Sequence, residues 1–386
     1  MKVRAALAVG VAAVLLGSGC TALSGGPEGG TVVIGADLEL TGDGAVLGIA
    51  FHNALQLKVE QVNNQGLLGG RTLRLDVRDN RSDEATAAAN LGELTGDPAI
   101  SAIIAGGCAE CLLASVETIN EAGVPTISLA APDAISTPVQ ERRFVFKMAP
   151  NAFDSAAVLA SELRRDGVDT AALVAGTDSY GQDGLDAMRD AAQRAEVEVV
   201  QAAQVSVDGS DAPAAAAGIA ASNPDAVVVL SSAPVASAVG RSLDDAGYRG
   251  GLYLDAVAAS GLFVAGDEGA ALSGAVMVFT ETLVIDEVIA TSPAKAARKT
   301  WLRDYVARYG RYDAFASFAA DAVQIIVDAV NRVGSADKEE LRAAIESTQL
   351  DGLSGPVRIT PENHSALAPQ ALTALVVRGD RWRLAS

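Results

Sequence analysis

The chain has 386 residues and carries 48 acidic side chains against 29 basic ones, a formal net charge of −19. That length suits two ordinary domains, each with its own core. The acidic balance repels nucleic-acid phosphates and anionic headgroups, so it excludes a nucleic-acid binder and leaves cationic or neutral small molecules as the better partners.

At the N-terminus, Lys2 and Arg4 precede an apolar run from Ala5 to Leu16 that is too short to span a bilayer. Gly17, Ser18 and Gly19 then lead into Cys20, although a leucine is usual at the Gly17 position. Residues 1–20 therefore read as a lipoprotein signal ending at a lipobox, with Cys20 as the lipidation site. An ordinary signal peptide with a spectator cysteine is the alternative. Residues 21–30 form a Gly-rich tether, and no later apolar run is long enough for a membrane span. The expected location is outside the cell, lipid-anchored on the outer face of the cytoplasmic membrane, and the anchor is the only membrane contact.

The apolar strand Val32 to Ala36 runs into the turn Leu40-Thr41-Gly42-Asp43-Gly44, where the two glycines permit a tight reversal and a close backbone approach. A helix carrying Asn53 to Glu60 follows, and Gly66, Gly69 and Gly70 stop it before the strand that ends at Leu75. Further strands are expected at Ile103–Ala105, Val124–Ser128, Thr170–Val174, Val197–Val200, Ala226–Leu230 and Leu252–Leu254. Helices are expected at Ser115–Ala122, Asp154–Arg165, Gly184–Arg194, Ala212–Ala221 and Pro234–Ala246. This alternation describes an α/β protein with parallel sheets covered on both faces. One sheet with so many crossovers would be unusually wide, so two doubly wound lobes are expected.

The segment from Val32 to Asn90 resembles the type I solute-binding proteins of ABC importers, in the branch of the leucine/isoleucine/valine-binding proteins. The resemblance continues through Asp178-Ser-Tyr-Gly-Gln-Asp-Gly184, Asn223-Pro-Asp-Ala-Val-Val-Val229, Ala319–Ile326 and Asp351–Val357. It implies two lobes joined by a three-crossing hinge, with the crossings near Phe144–Pro150, Ala275–Phe279 and Gly355–Thr360. Lobe 1 is then residues 31–148 and 277–360, and lobe 2 is residues 149–276 and 361–386. The partners implied are a small polar solute and the transmembrane subunits of an ABC permease, with the protein acting as a monomer.

The resemblance also implies where a solute would lie. Amino-acid binders hold the α-carboxylate with serine and threonine hydroxyls at positions that fall here on Ala109 and Pro132, so both hydroxyls are missing. Glu110 adds a negative charge there, either as a ligand contact or as a solvated helix-start carboxylate. Ala130, Ala131 and Pro132 are expected to contribute from the same lobe, with Leu47 and Phe315 as apolar wall. Tyr180, Ser231, Ser232 and Asp255 are the candidates opposite, and Asp255 stands within one position of the acidic residue that amino-acid binders use for the ammonium. A tyrosine packed at a strand end and an aspartate capping a helix are the plainer alternatives.

Cys108-Ala109-Glu110-Cys111 is read first as a local structural disulfide, with a free thiol pair or a redox or metal pair as alternatives. Enzymatic readings find little support. There is no Gly-x-Ser-x-Gly elbow, and the Gly42, Gly44, Gly48 spacing is wrong for a dinucleotide fingerprint. The only histidines, His52 and His364, stand far apart, as packing or surface residues would. The expectation is a non-enzymatic receptor without cofactor or metal. A sensory receptor of the same fold is the alternative, and a thiol-disulfide oxidoreductase using Cys108 and Cys111 the third reading.

Overall fold

The computed structural model describes residues 30–259, 271–379 and 381–385. The signal, the tether and Cys20 lie outside the described residues.

The first sheet is built from β1 (Thr31–Leu38), β2 (Thr72–Asp79), β3 (Ile100–Ala105), β4 (Thr126–Ser128) and β5 (Val145–Lys147), in the order β2-β1-β3-β4-β5, all parallel. Every residue of β3 is buried, as a strand covered on both faces requires. Helices α1 (Ala45–Asn64), α2 (Glu84–Gly96), α3 (Ala109–Leu113) and α4 (Val116–Ala122) connect these strands. Gly42 lies at φ 85°, and a side chain there would strike the Arg81 carbonyl, so the turn after β1 needs a glycine.

The second sheet contains β6 (Thr170–Gly176), β7 (Glu198–Val205), β8 (Ala226–Leu230), β9 (Gly251–Leu254) and β10 (Val276–Thr280). The late strands β13 (Leu372–Arg378) and β14 (Arg381–Leu384) join it, giving the order β14-β13-β10-β9-β8-β6-β7. Only β13 and β14 run antiparallel to their neighbours. Helices α5 (Ala152–Arg165), α6 (Ser179–Arg194), α7 (Ala212–Ser222) and α8 (Ala233–Asp245) cover it. The chain then returns to the first lobe as α9 (Pro293–Tyr309), α10 (Ala316–Val333) and α11 (Lys338–Ile345). There Tyr305 donates to the Ala50 carbonyl, and Arg308 pairs with Glu60 on α1. A small hairpin, β11 (Gln349–Asp351) with β12 (Pro356–Arg358), follows.

The expected α/β fold of two helix-flanked parallel sheets is thus the observed one. Two crossings fall later than the sequence indicates. Strand β10 pairs with β9 and β13, so residues 277–280 belong to the second sheet and the chain leaves it only after Thr280. After β12, the chain runs along β5: Lys147 N donates to His364 O, and Ala366 N donates to Lys147 O. Residues 361–366 therefore stay with the first lobe, and the third crossing lies between them and β13. Both shifts come from pairing between segments distant in sequence, which local pattern cannot register.

Helix α6 begins five residues before its expected start at Gly184. Gly181 falls before that expected start, yet it sits in the helix, which presses on the sheet: a Cβ at Gly181 would lie 2.1 Å from the Gly176 carbonyl oxygen. The Asp178 carboxylate caps the helix by accepting from Gly181 N at 2.7 Å.

Candidate ligand-binding cleft

The carboxyl ends of the parallel strands in both sheets meet at the space between the lobes, where open α/β sheets place their ligands. In the second lobe, β6 delivers Asp178 and the first turn of α6, β8 delivers Ser231, and β9 delivers Asp255. Asp255 is 0% exposed. Its backbone N–H is fixed to Val229 O, and its Oδ1 accepts from the Tyr180 hydroxyl at 2.6 Å and from Val257 N at 3.2 Å. Among the described residues its Oδ2 has no hydrogen-bond partner. Burial pushes the carboxyl up to about 6, against the opposing effect of the Tyr180 and backbone donors. The Ser231 hydroxyl is likewise buried without a partner among the described residues, and it lies 2.8 Å from where a Cβ on Gly176 would stand. A buried carboxylate oxygen and a buried hydroxyl left unpaired cost free energy that the fold alone does not return.

Tyr180 is 5% exposed and packs against Ala131, Ala149 and Ala152, so the first-lobe loop after β4 closes over the Tyr180–Asp255 pair. Ala130 N donates to Ser128 Oγ, Ala131 O accepts from Lys147 Nζ, and Pro132 has no N–H. Ala130 to Pro132 thus supply an apolar wall and no free polar clamp. Hydrogen bonds join the facing loops: Ser179 Oγ donates to Glu110 Oε1 at 3.1 Å, and Asp133 N donates to Asp183 Oδ2 at 3.0 Å.

The other expected residues are distributed as follows. Ser232 is half-buried beside Ser231 at the start of α8. Ala109 is buried at the start of α3, whereas Glu110 is exposed and faces the second lobe. Cys108 and Cys111 are joined by a disulfide with a Cα separation of 5.3 Å. Leu47 on α1 is half-buried and covers the turn at Gly107. Phe315 stands apart: it is 2% exposed and stacks between Phe279 and Phe318 beneath the second crossing, as core and not as cleft wall. His364 is a packing residue, with Nδ1 beside Val145 O and its ring against Phe146.

Two charged residues missed in the sequence organise the first-lobe side. Lys147, fully buried at the end of β5, donates to Ala131 O at 2.7 Å and to Asp133 Oδ1 at 2.8 Å. Burial lowers its pKa against the pull of Asp133, Asp183 and Asp154. Glu39, at the end of β1, accepts from the backbone N–H groups of Gly107 and Cys108. A signal for Lys147 was present, since a single lysine inside Phe144-Val-Phe-Lys-Met148 must be buried and therefore paired.

Two doubly wound lobes, three crossings and a polar cleft between them define a two-lobed binding protein. The chain belongs to the periplasmic binding protein family, whose sequence profile matches residues 31–380. Among solved structures it is similar to an extracellular ligand-binding receptor from Rhodopseudomonas palustris, at 23% identity over 93% of this chain and 100% of that one, with a TM-score of 0.82. It is also similar to an ABC transporter substrate-binding protein from Desulfitobacterium hafniense in complex with Leu, at 18% identity over 92% and 99% of the chains and a TM-score of 0.76. A solute-binding protein of an ABC transporter from R. palustris in complex with benzoate matches at 21% identity over 92% and 96% of the chains, with a TM-score of 0.78. Comparison with curated protein sequences gave no match.

Proposed function

We propose that this protein is a lipid-anchored, exported receptor that captures a small polar solute bearing an ammonium or amide N–H group and hands it to an ABC permease when its lobes close. The observation that carries this reading is the Oδ2 of Asp255, a fully buried acceptor with no donor among the described residues. An ammonium group would satisfy it and would neutralise a charge that the fold buries at a cost. Acidic groups dominate around it: Asp133 adds repulsion at Asp255, and Asp178 stands beside Tyr180. The only described lysine in this region, Lys147, is already engaged. A cation or a neutral N–H donor therefore fits better than an anion. The leucine and benzoate of the similar proteins show how widely this fold varies its ligand.

A thermal-shift screen of small amines, amides and acids tests the reading. Stabilising hits should come from amines and amides, and at a hundred times its dissociation constant a single-site ligand adds about 2.7 kcal/mol of stability. Hits confined to acids that leave Asp255 untouched would overturn it.

Anchoring through Cys20 supports delivery to a membrane partner, because a diacylated cysteine holds a protein at a bilayer where one chain is marginal. No described helix is long and apolar enough to cross a membrane. Native protein should fractionate with membranes and Cys20→Ser should be released. Identical soluble fractionation of the two would remove the lipoprotein reading.

A further inference from the structure

We infer that Glu39 is a specificity-determining residue that excludes carboxylate-bearing solutes, so that the solute class is amines or amides lacking a carboxylate. This rests on the ammonium reading of Asp255 and narrows it. The turn after β3 faces the cleft, since Glu110 in its continuation touches Ser179 of the other lobe. In that turn, two successive backbone N–H groups, of Gly107 and Cys108, converge on one carboxylate at 3.0 Å each. Paired donors of this kind form a cradle for an anionic oxygen pair. Here the occupant belongs to the chain: the Glu39 side chain fills the cradle and is 2% exposed.

The surroundings are cut to hold it. A Cβ on Gly106 would lie 2.3 Å from Glu39 Oε2, and one on Gly48 would lie 2.0 Å from the Glu39 carbonyl oxygen, so the glycines leave room for this residue and for nothing larger at its back. Asn80 Nδ2 adds a third donor to Oε1 at 3.3 Å while also bonding Asp37 Oδ2 at 3.0 Å. Among the described residues no lysine or arginine bonds Glu39, whose oxygens are met by the two N–H groups and Asn80. A solute carboxylate entering this side of the cleft would meet an occupied cradle and a second negative charge, with Glu110 two residues beyond Cys108.

The experiment compares four probes on the whole mature protein by calorimetry and thermal shift: isopentylamine against L-leucine, and benzylamine against benzoate. In native protein each amine should bind at least roughly ten-fold more tightly than its carboxylate counterpart, because like charges placed together are strongly disfavoured. Equal or tighter binding of L-leucine or benzoate would overturn the inference. Glu39→Ala empties the cradle, so acetate or benzoate should raise its melting temperature where native protein shows no change. Absence of that rescue would also overturn it, and this arm decides the matter even if native protein binds none of the probes. Should Glu39→Ala fail to fold, Glu39→Gln keeps the shape without the charge and should shrink the amine preference, and an undiminished preference counts against the inference. Failure of the Asp255 reading is a separate outcome: Asp255→Asn would then bind the amines as tightly as native protein does.

Discussion

Asp255→Asn should weaken capture of an amine solute by roughly 30-fold or more, since removing one partner of a buried, hydrogen-bonded charge pair costs about 2–5 kcal/mol. The same substitution should raise the stability of the solute-free protein. In the folded chain the Asp255 carboxyl is pushed up to about 6 from its ordinary value of 3.8. The folded state therefore binds its proton more tightly than the unfolded state does. Stability falls as pH rises through the interval from the lower value to the upper, and the full penalty is present above it. Asn carries no charge to bury, although its amide puts an NH2 group with two donors in the place of Oδ2. At neutral pH the variant should gain up to about 2 kcal/mol after that offset, and near pH 4 the gain should vanish. Solute affinity of the native protein should fall as pH drops below about 6, because the ammonium then meets a neutral carboxyl. Urea unfolding at two pH values and calorimetric titration check both halves. An affinity that does not depend on Asp255, or a variant that is less stable at neutral pH, would contradict the assignment.

Lys147→Ala should lower stability by about 3 kcal/mol, by the mechanism of a broken buried ion pair with an added void. It strips Ala131 O of its donor and leaves Asp133 without its cation, and Asp133 N is the group that reaches Asp183 on the second lobe. The loss should therefore weaken closure as well as the fold. Lys147→Met combined with Asp133→Asn removes both charges and keeps the volume, so it should recover more than half of the lost stability. Denaturation midpoints of the single and double variants measure this coupling. Additive losses would show that the pair is not a unit.

How much of this was legible in the sequence depends on how local each feature is. Ala226–Leu230 is buried throughout and reads as a strand because a parallel strand covered on both faces is a continuous apolar run. Strand β7 extends to Val205, beyond its expected end, because Gln201 and Gln204 lie on an edge strand with exposed and half-buried positions alternating. Tyr180 and Asp255 stood out as polar residues at strand ends, and the structure bonds them to each other across 75 positions of sequence. Glu39 had no such signal. Its partners Gly107 and Cys108 lie almost 70 residues away, and an acidic side chain between two leucines looks like a solvated turn until the β1–β3 pairing brings the loops together.

The lobes meet through a few side-chain and loop hydrogen bonds, such as Ser179 to Glu110 and Asp133 to Asp183. Each contributes only about 1 kcal/mol net, so in the proposed mechanism opening costs little until a solute bonds both lobes and supplies the difference in affinity that favours the closed form. Small-angle X-ray scattering with an amine from the screen reads out this proposed solute-driven closure. The radius of gyration should shrink when the amine saturates native protein, and should not change when the amine is added to the Asp255→Asn variant at the same concentration. Saturation of native protein, verified by calorimetry, with the radius of gyration unaltered would contradict it.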